Sequence, residues 1–284
     1  MTGTRPESGE APLLVSDSDG VRHLTFNRPA VHNAQDVTML EMLDDELNRA
    51  ARDRSVRAVV LAGAGRSFCA GHDLTQMHVD EEYRRNASTV EGRFEQEMRL
   101  FVEPVRKFRE LPVPTVCRVQ GHCLAAGLMF AGAADFVVAD RTARFGSPIV
   151  TAIAVNDAEV ASFALRVGEM WAKRVFWLDE RLDADQAREA GLVTWVVDDA
   201  AALDAKVREV VDGLRGAPRE TVALSKQTLL FMADQRGERD VNRFHFMAHQ
   251  LSHWTQESQD VLSARMERLA SGRSAIPDSQ RRGG

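Results

Sequence analysis

The chain has 284 residues and a formal net charge of -6; it lacks the surplus of Lys and Arg that binding to a phosphate backbone demands, which excludes nucleic acid as its main partner. Hydrophobic residues make up 44% and charged residues 27%, the proportions of a soluble globular protein rather than a disordered or fibrous one. Cys69, Cys117 and Cys123 are an odd number with no CxxC pair, so neither a disulfide framework nor a zinc site is indicated, and a reducing cytoplasm fits.

The beginning, MTGTRPESGEAP, has no apolar run of signal-peptide type, and no uninterrupted apolar stretch reaches the roughly 18 residues a membrane span needs. Residues 1–11 and 272–284 are polar and rich in Gly, Ser and Arg; such segments cannot offset their ordering entropy by burial and are expected as disordered tails. Val21 to Phe26 alternates like a strand and stops at Asn27-Arg28-Pro29. Val37, Leu40, Leu43 and Leu47 then recur at helical spacing between Asp36 and Asp53, and Arg57 to Ala62 reads as a buried strand. This is a β–α–β unit.

The pattern repeats. A polar helical stretch over Val90 to Glu110 is closed by Pro112 and Pro114, Thr115 to Val119 is β-branched enough for a strand, and a turn falls at Gly121. A helix over Ala125 to Ala134 leads to a strand over Asp135 to Ala139, and a helix over Asp183 to Ala190 ends at Gly191 before a strand over Leu192 to Val197. Beyond Asp199 only helical patterns occur: 202–214, 218–232, 240–254 and 257–269. Their apolar faces, Phe244, Met247 and Leu251 among them, predict packing on the main domain or on another subunit. The fold class is therefore α/β, with a core over 12–200 and an all-helical extension over 201–271. Gly63-Ala64-Gly65 lacks the third glycine and the acidic partner of a dinucleotide fingerprint, which disfavours a nicotinamide dehydrogenase.

Four segments in order, Leu24 to Pro29 with Asn33-Ala34, Ser67 to Leu74, Pro114 to Asp135, and Leu182 to Val197, resemble the crotonase (enoyl-CoA hydratase/isomerase) family. The resemblance implies a spiral of ββα units, a C-terminal helical region that makes trimers or paired trimers, and an acyl-CoA thioester as the partner, with coenzyme A entering as part of the substrate and no separate cofactor. By motif position two backbone N–H groups, those of His72 after Ala70-Gly71 and of Ala126 at a helix start, would hold the thioester oxygen as it gains negative charge. Each such donor is worth ~10²–10³ in rate. Close helix packing is the alternative reading of Ala125-Ala126-Gly127. The resemblance further implies substrate contacts from Arg28, Ala70, Leu74, Met129, Ile149 and Arg268, although Ala30 replaces a lysine often found beside the nucleotide.

The chain departs from the family at both usual acid–base positions. Met129 stands where hydratases carry their first glutamate, and Ile149, after Phe145-Gly146-Ser147-Pro148, stands where they carry the second. Met and Ile can neither activate water nor deliver a proton. Asp157, in a stretch similar to that of 4-chlorobenzoyl-CoA dehalogenases, is the candidate base, acid or nucleophile; its alternative role is to cap the helix over Val160 to Val167. Glu159 is a second candidate, and His72 and His122 are histidines able to move protons near neutrality. Asp73 and Asp135 are expected to be structural. Three functions stay open: an isomerase or atypical hydratase or lyase, a non-catalytic acyl-CoA binder, and a thioester hydrolase or dehalogenase.

Overall fold

The computed structural model describes residues 11–149 and 160–271; the two expected tails fall largely outside them, as do Asp157 and Glu159. The chain opens with β1 (Leu13–Ser18) and β2 (Val21–Phe26), an antiparallel hairpin. Its two-residue turn, Asp19-Gly20, has φ of 50° and 78°, the positive pair that matches the twist of the flanking strands. That Asp-Gly signal between apolar runs is present in the sequence, and β1 is an addition to the predicted strands. A 3-10 turn at Pro29–Val31 leads to α1 (Val37–Arg52), whose first turn is capped by the Asp36 carboxylate accepting from the Met39 N–H at 2.8 Å.

After β3 (Ala58–Gly63) come α2 (Leu74–Val79), α3 (Glu81–Asn86), α4 (Val90–Glu97), a π-helical turn at Met98–Val102, and α5 (Glu103–Glu110). The predicted continuous helix over 90–110 is thus interrupted by a wide turn, and such turns concentrate at functional sites. Next are β4 (Thr115–Val119), β5 (His122–Leu124), α6 (Ala126–Ala133), β6 (Phe136–Asp140) and β7 (Arg144–Gly146). Then follow α7 (Val160–Val167), α8 (Glu169–Trp177), β8 (Leu182–Asp183), α9 (Ala184–Glu189) and β9 (Trp195–Val197). The strand expected from Leu192 begins only at Trp195. The Leu192 and Val193 N–H groups both donate to the Ala187 carbonyl, at 2.9 and 3.1 Å, closing α9 instead of joining a ladder. The end is helical: α10 (Ala200–Arg215), α11 (Arg219–Gln235), α12 (Glu238–Ser252) and α13 (Gln256–Ala270).

The strands form a sheet in the order β1-β2-β3-β4-β6-β9, parallel from β2 onward, and a smaller sheet in the order β5-β7-β8. Alternation divides the large sheet into two apolar faces. Val59, Leu61, Cys117, Val119, Val137 and Ala139 join the main core. Val60, Val116 and Val138 face the other way and meet Leu203, Val207 and Val211, a stripe at helical spacing on α10.

Buried charge pins the helices to this core. Asp135 accepts from the Thr115 N–H at 2.8 Å, the Thr115 hydroxyl at 3.0 Å and Lys226 Nζ on α11 at 2.6 Å. Arg166 on α7 donates to the carbonyls of Ala131 and Ala134 at 3.3 and 2.7 Å, setting a cation against the C-terminal end of α6. Phe244, Met247 and Leu251 on α12 are exposed in the single chain, with Phe244 at 75%. No helix among the described residues is long and apolar enough to cross a membrane.

Glu97, at the end of α4, is buried and receives hydrogen bonds from Arg93 and Gln250. Burial alone would raise its carboxyl pKa; the His249 hydrogen bond and the charges of His249, His253 and Arg93 outweigh it and hold the group at about 2, against 4.5 for a free one. A carboxyl with a depressed folded pKa contributes stability that is complete above the unfolded value and is lost as pH falls through the folded one. Acid unfolding followed by circular dichroism is therefore expected to include a component between about 4.5 and about 2. Glu97→Gln should remove that component; an unchanged acid limb would contradict it.

Candidate functional site

Three loops meet at the N-terminal end of α6. Cys69 sits against β5: its N–H donates to the His122 carbonyl at 2.9 Å and its carbonyl accepts from the Leu124 N–H at 2.9 Å. The Ala125 N–H in turn donates to the Gly146 carbonyl at 3.0 Å. The Ala70-Gly71-His72 turn, the Ala125-Ala126 helix start and the Gly146 to Ile149 segment are thus stitched side by side by main-chain bonds.

Gly71 lies directly against the start of α6. Its φ is 104°, a region open to glycine and strained for other residues, and a Cβ there would lie 2.8 Å from Ala125 Cβ and 3.6 Å from Ala126 N. Gly127 is constrained from the other side, since a Cβ on it would fall 2.6 Å from the Cys69 carbonyl oxygen. Ala125 precedes the helix with φ 47° and ψ -116°, and such a strained residue persists only where its surroundings over-determine it. Ala126 is fully buried and is the first residue of α6, so its N–H is one of the donors that a helix start leaves without an intrahelical acceptor. The helix dipole places partial positive charge at the same end.

The loop bearing His72 is held from outside. Asn33 is buried and its side-chain amide donates to the carbonyls of Ala64, Ser67 and Phe68 at 2.9, 2.7 and 3.2 Å, while its oxygen accepts from the Arg28 N–H at 2.9 Å. The Arg28 guanidinium pairs with Asp73 at 2.8 Å and Asp36 at 3.2 Å and donates to the Ala34 carbonyl at 2.6 Å. Asp73, expected to be structural, serves here as a partner of the Arg28 guanidinium. Arg28, expected beside a nucleotide, spends its charge on two carboxylates next to the site.

The other candidates are distributed as follows. Ala70 and Leu74 are half-buried on either side of the Gly71-His72 turn. Met129 is buried in the main core one turn into α6, and Ile149 is half-buried after Pro148. Arg268 is half-buried on α13. The two candidate histidines belong to different neighbourhoods. The His72 ring stacks on Phe101 from the π-helical turn, with centroids 3.7 Å apart. The His122 ring lies 5.0 Å from that of His32; burial, then the neighbouring His32 and the cations Arg181, Arg66 and Arg144, lower its pKa. Phe101 carries no sequence signal of its contact here, because it reaches His72 from an element distant in the chain.

The cysteines near the site are inert by environment. Burial pushes the Cys69 thiol up to about 12 and raises those of Cys117 and Cys123 as well, and the thiolate is the reactive form. A thiol-reactive chromophore is expected to modify none of the three in the folded protein and all of them in denaturant; rapid labelling of folded protein would contradict this.

This spiral of parallel strands, with a second small sheet and a helical C-terminal region, is the crotonase-like class of α/β protein. The family model described as Enoyl-CoA hydratase/isomerase matches residues 16–270, and the chain belongs to that family. Among its relatives is the 1,2-epoxyphenylacetyl-CoA isomerase of Escherichia coli (strain K12), 32% identical over 76% of this chain and 81% of that protein. Another is the 4-chlorobenzoyl coenzyme A dehalogenase-2 of an Arthrobacter species, 29% identical over 76% of this chain and 77% of the relative. Among solved structures, an enoyl-CoA hydratase/isomerase from Xanthobacter autotrophicus Py2 superposes with a TM-score of 0.81 at 27% identity, covering 92% of this chain and 95% of that one.

Proposed function

We propose that the chain is an enzyme of acyl-CoA thioesters in which the backbone N–H groups of His72 and Ala126 stabilise an enolate-like thioester oxygen. The observation that carries this reading is the contact of Gly71 with Ala125 and Ala126, which brings the turn before His72 against the positive end of α6. A thioester carbonyl gains most from donors fixed in advance, because they need no reorganisation as charge develops. Enolate stabilisation by amides calls for no redox group; coenzyme A enters with the substrate.

The chemistry built on that oxygen differs from ordinary hydration. Met129 and Ile149 occupy the usual glutamate positions, so the proton-transfer role passes to Asp157, and isomerisation or an atypical hydratase or lyase reaction is the reading. The exposed apolar face of α12, with Phe244, Met247 and Leu251, supports a trimer or paired trimers. The close approach of Gly71 to the start of α6, together with a relative that is an isomerase by name, favours catalysis over passive binding. The likeness to a dehalogenase gives a second reading, in which Asp157 attacks as nucleophile.

The test is turnover on a panel of enoyl-, epoxy- and haloaroyl-CoA thioesters, with Asp157→Asn beside the native chain. Loss of ~10²-fold or more in turnover is expected for the variant, as for removal of a positioned acid–base group. A covalent acyl-enzyme seen by mass spectrometry would select the nucleophile reading. Tight acyl-CoA binding with no turnover by the native chain would overturn the enzyme reading in favour of a binding protein.

A further inference from the structure

Away from the thioester site, α12 packs beside the end of α4, and three ligand-type side chains converge there. His249 and His253 are spaced four apart, one helical turn, so both rings leave the same side of the helix end. Their Nε2 atoms are 3.2 Å apart. Glu97 meets them from α4, its Oε2 lying 3.1 Å from His249 Nε2 and 3.8 Å from His253 Nε2. All three ligand atoms lie within 4.8 Å of one another.

These separations have a physical meaning. A tetrahedral ion bound at ~2.0–2.1 Å by nitrogen and oxygen donors sets its ligand atoms roughly 3.3–3.4 Å apart, and the three observed edges straddle that value. One proton on His249 Nε2 can be given to Glu97 or to His253, whereas a cation at the centre would engage a lone pair from each of the three. The carboxylate is already aimed: Arg93 holds Oε1 at 3.0 Å and the Gln250 amide holds Oε2 at 2.7 Å. Such outer partners fix the ligands of metal sites. The side chains of Glu97, His249 and His253 are 3%, 4% and 12% exposed, so an ion would enter on the His253 side, where a water would complete its tetrahedron.

We propose that Glu97, His249 and His253 bind one divalent transition-metal ion of the zinc class, which clamps the C-terminal helix α12 onto the end of α4. Two imidazoles and one carboxylate suit zinc or its neighbours rather than the hard cations calcium and magnesium. The site has a structural reach toward the loops described above: Glu97 immediately precedes the π-helical turn whose Phe101 stacks on His72. A cysteine-based search of the sequence misses it, because its nitrogen ligands form a short helical motif and its oxygen ligand comes from a distant segment.

The full chain, stripped with a chelator and dialysed, would be titrated with zinc by calorimetry and with cobalt(II) by visible absorption. One ion per chain, the intense visible bands of four-coordinate cobalt, and a zinc-dependent rise in melting temperature are expected. Loss of a hydrogen-bond partner that aims a metal ligand costs roughly 10–100-fold in affinity, so Gln250→Ala should fall in that range and His249→Asn and His253→Asn should lose at least ~100-fold. His23→Asn, outside the cluster, should bind as the native chain does. If His249→Asn fails to fold, His253→Asn at the more exposed position and Gln250→Ala carry the comparison. Absence of stoichiometric binding, or binding equal in the native chain and His253→Asn, would overturn the proposal and leave the cluster a histidine–carboxylate hydrogen-bond knot.

Discussion

Ala126→Pro is expected to lower turnover on the chain's preferred acyl-CoA by ~10²–10³, about 3–4 kcal/mol of transition-state stabilisation, while leaving the fold in place. Proline suits the first residue of a helix, where the lost N–H had no intrahelical acceptor and the fixed φ is already helical. The substitution therefore removes the donor and sets a ring carbon where the thioester oxygen would sit; its strain falls on Ala125, whose ψ of -116° is not the extended backbone preferred before proline. Ala126→Gly keeps the N–H and is the matching control; its turnover should stay within about tenfold of native, because glycine near a helix start costs only ~1 kcal/mol. The proline variant should hold a native circular dichroism spectrum. If it turned over at the native rate, the amide of Ala126 would have no part in the chemistry, and the proposed role of the Gly71 to Ala126 contact would fail with it.

The sequence made the frame and one half of the site readable. Thr115 to Val119 was legible as a strand because β-branched residues stand between a Pro-terminated helix and a glycine turn, and it occupies those same residues. The four C-terminal helices were legible from apolar spacing. The strands of the small sheet were not: β5 and β7 have three residues and β8 has two, too few for a period-two pattern to show. The interruption of the helix after Glu97 was equally silent, since Met98 to Val102 contains no Pro or Gly and its widening shows only in the main-chain bonds.

At the site, Ala70-Gly71 and Ala125-Ala126-Gly127 were legible through the family resemblance, since small residues by themselves fit close helix packing equally well. What holds them was not legible. Asn33 could be read as part of a motif, yet its bonds to the carbonyls of Ala64, Ser67 and Phe68 depend on a tertiary meeting that spacing does not encode. Arg28 illustrates the converse: a lone arginine in a sequence carries no statement of its neighbours, and here the carboxylates of Asp36 and Asp73 pair with it.

Asp135→Ala is expected to destabilise the chain by roughly 3–5 kcal/mol, because it leaves the buried Lys226 ammonium without its half-buried carboxylate partner. Lys226 Nζ would keep only the Val113 carbonyl, at 3.2 Å, and the Thr115 N–H and hydroxyl would lose the carboxylate that serves both. The pH dependence has a definite sign. Burial lowers the Lys226 pKa from 10.5, while the charge and hydrogen bond of Asp135 oppose that lowering. Removing Asp135 must therefore depress the folded pKa further and widen the interval in which the unfolded chain binds the extra proton. Stability rises with pH wherever the unfolded state holds more protons, so the variant should recover part of its loss as pH rises toward 10.5, the ordinary lysine value, and by more than the native chain gains. Urea melts across that rise measure it. Replacing Lys226 as well, in Asp135→Ala with Lys226→Met, removes the stranded charge and should restore much of the stability, since a buried pair exchanged for apolar groups is often near neutral. A loss below about 1 kcal/mol for Asp135→Ala would mark the pair as no stronger than a surface contact and would leave α11 attached to the core by its apolar face alone.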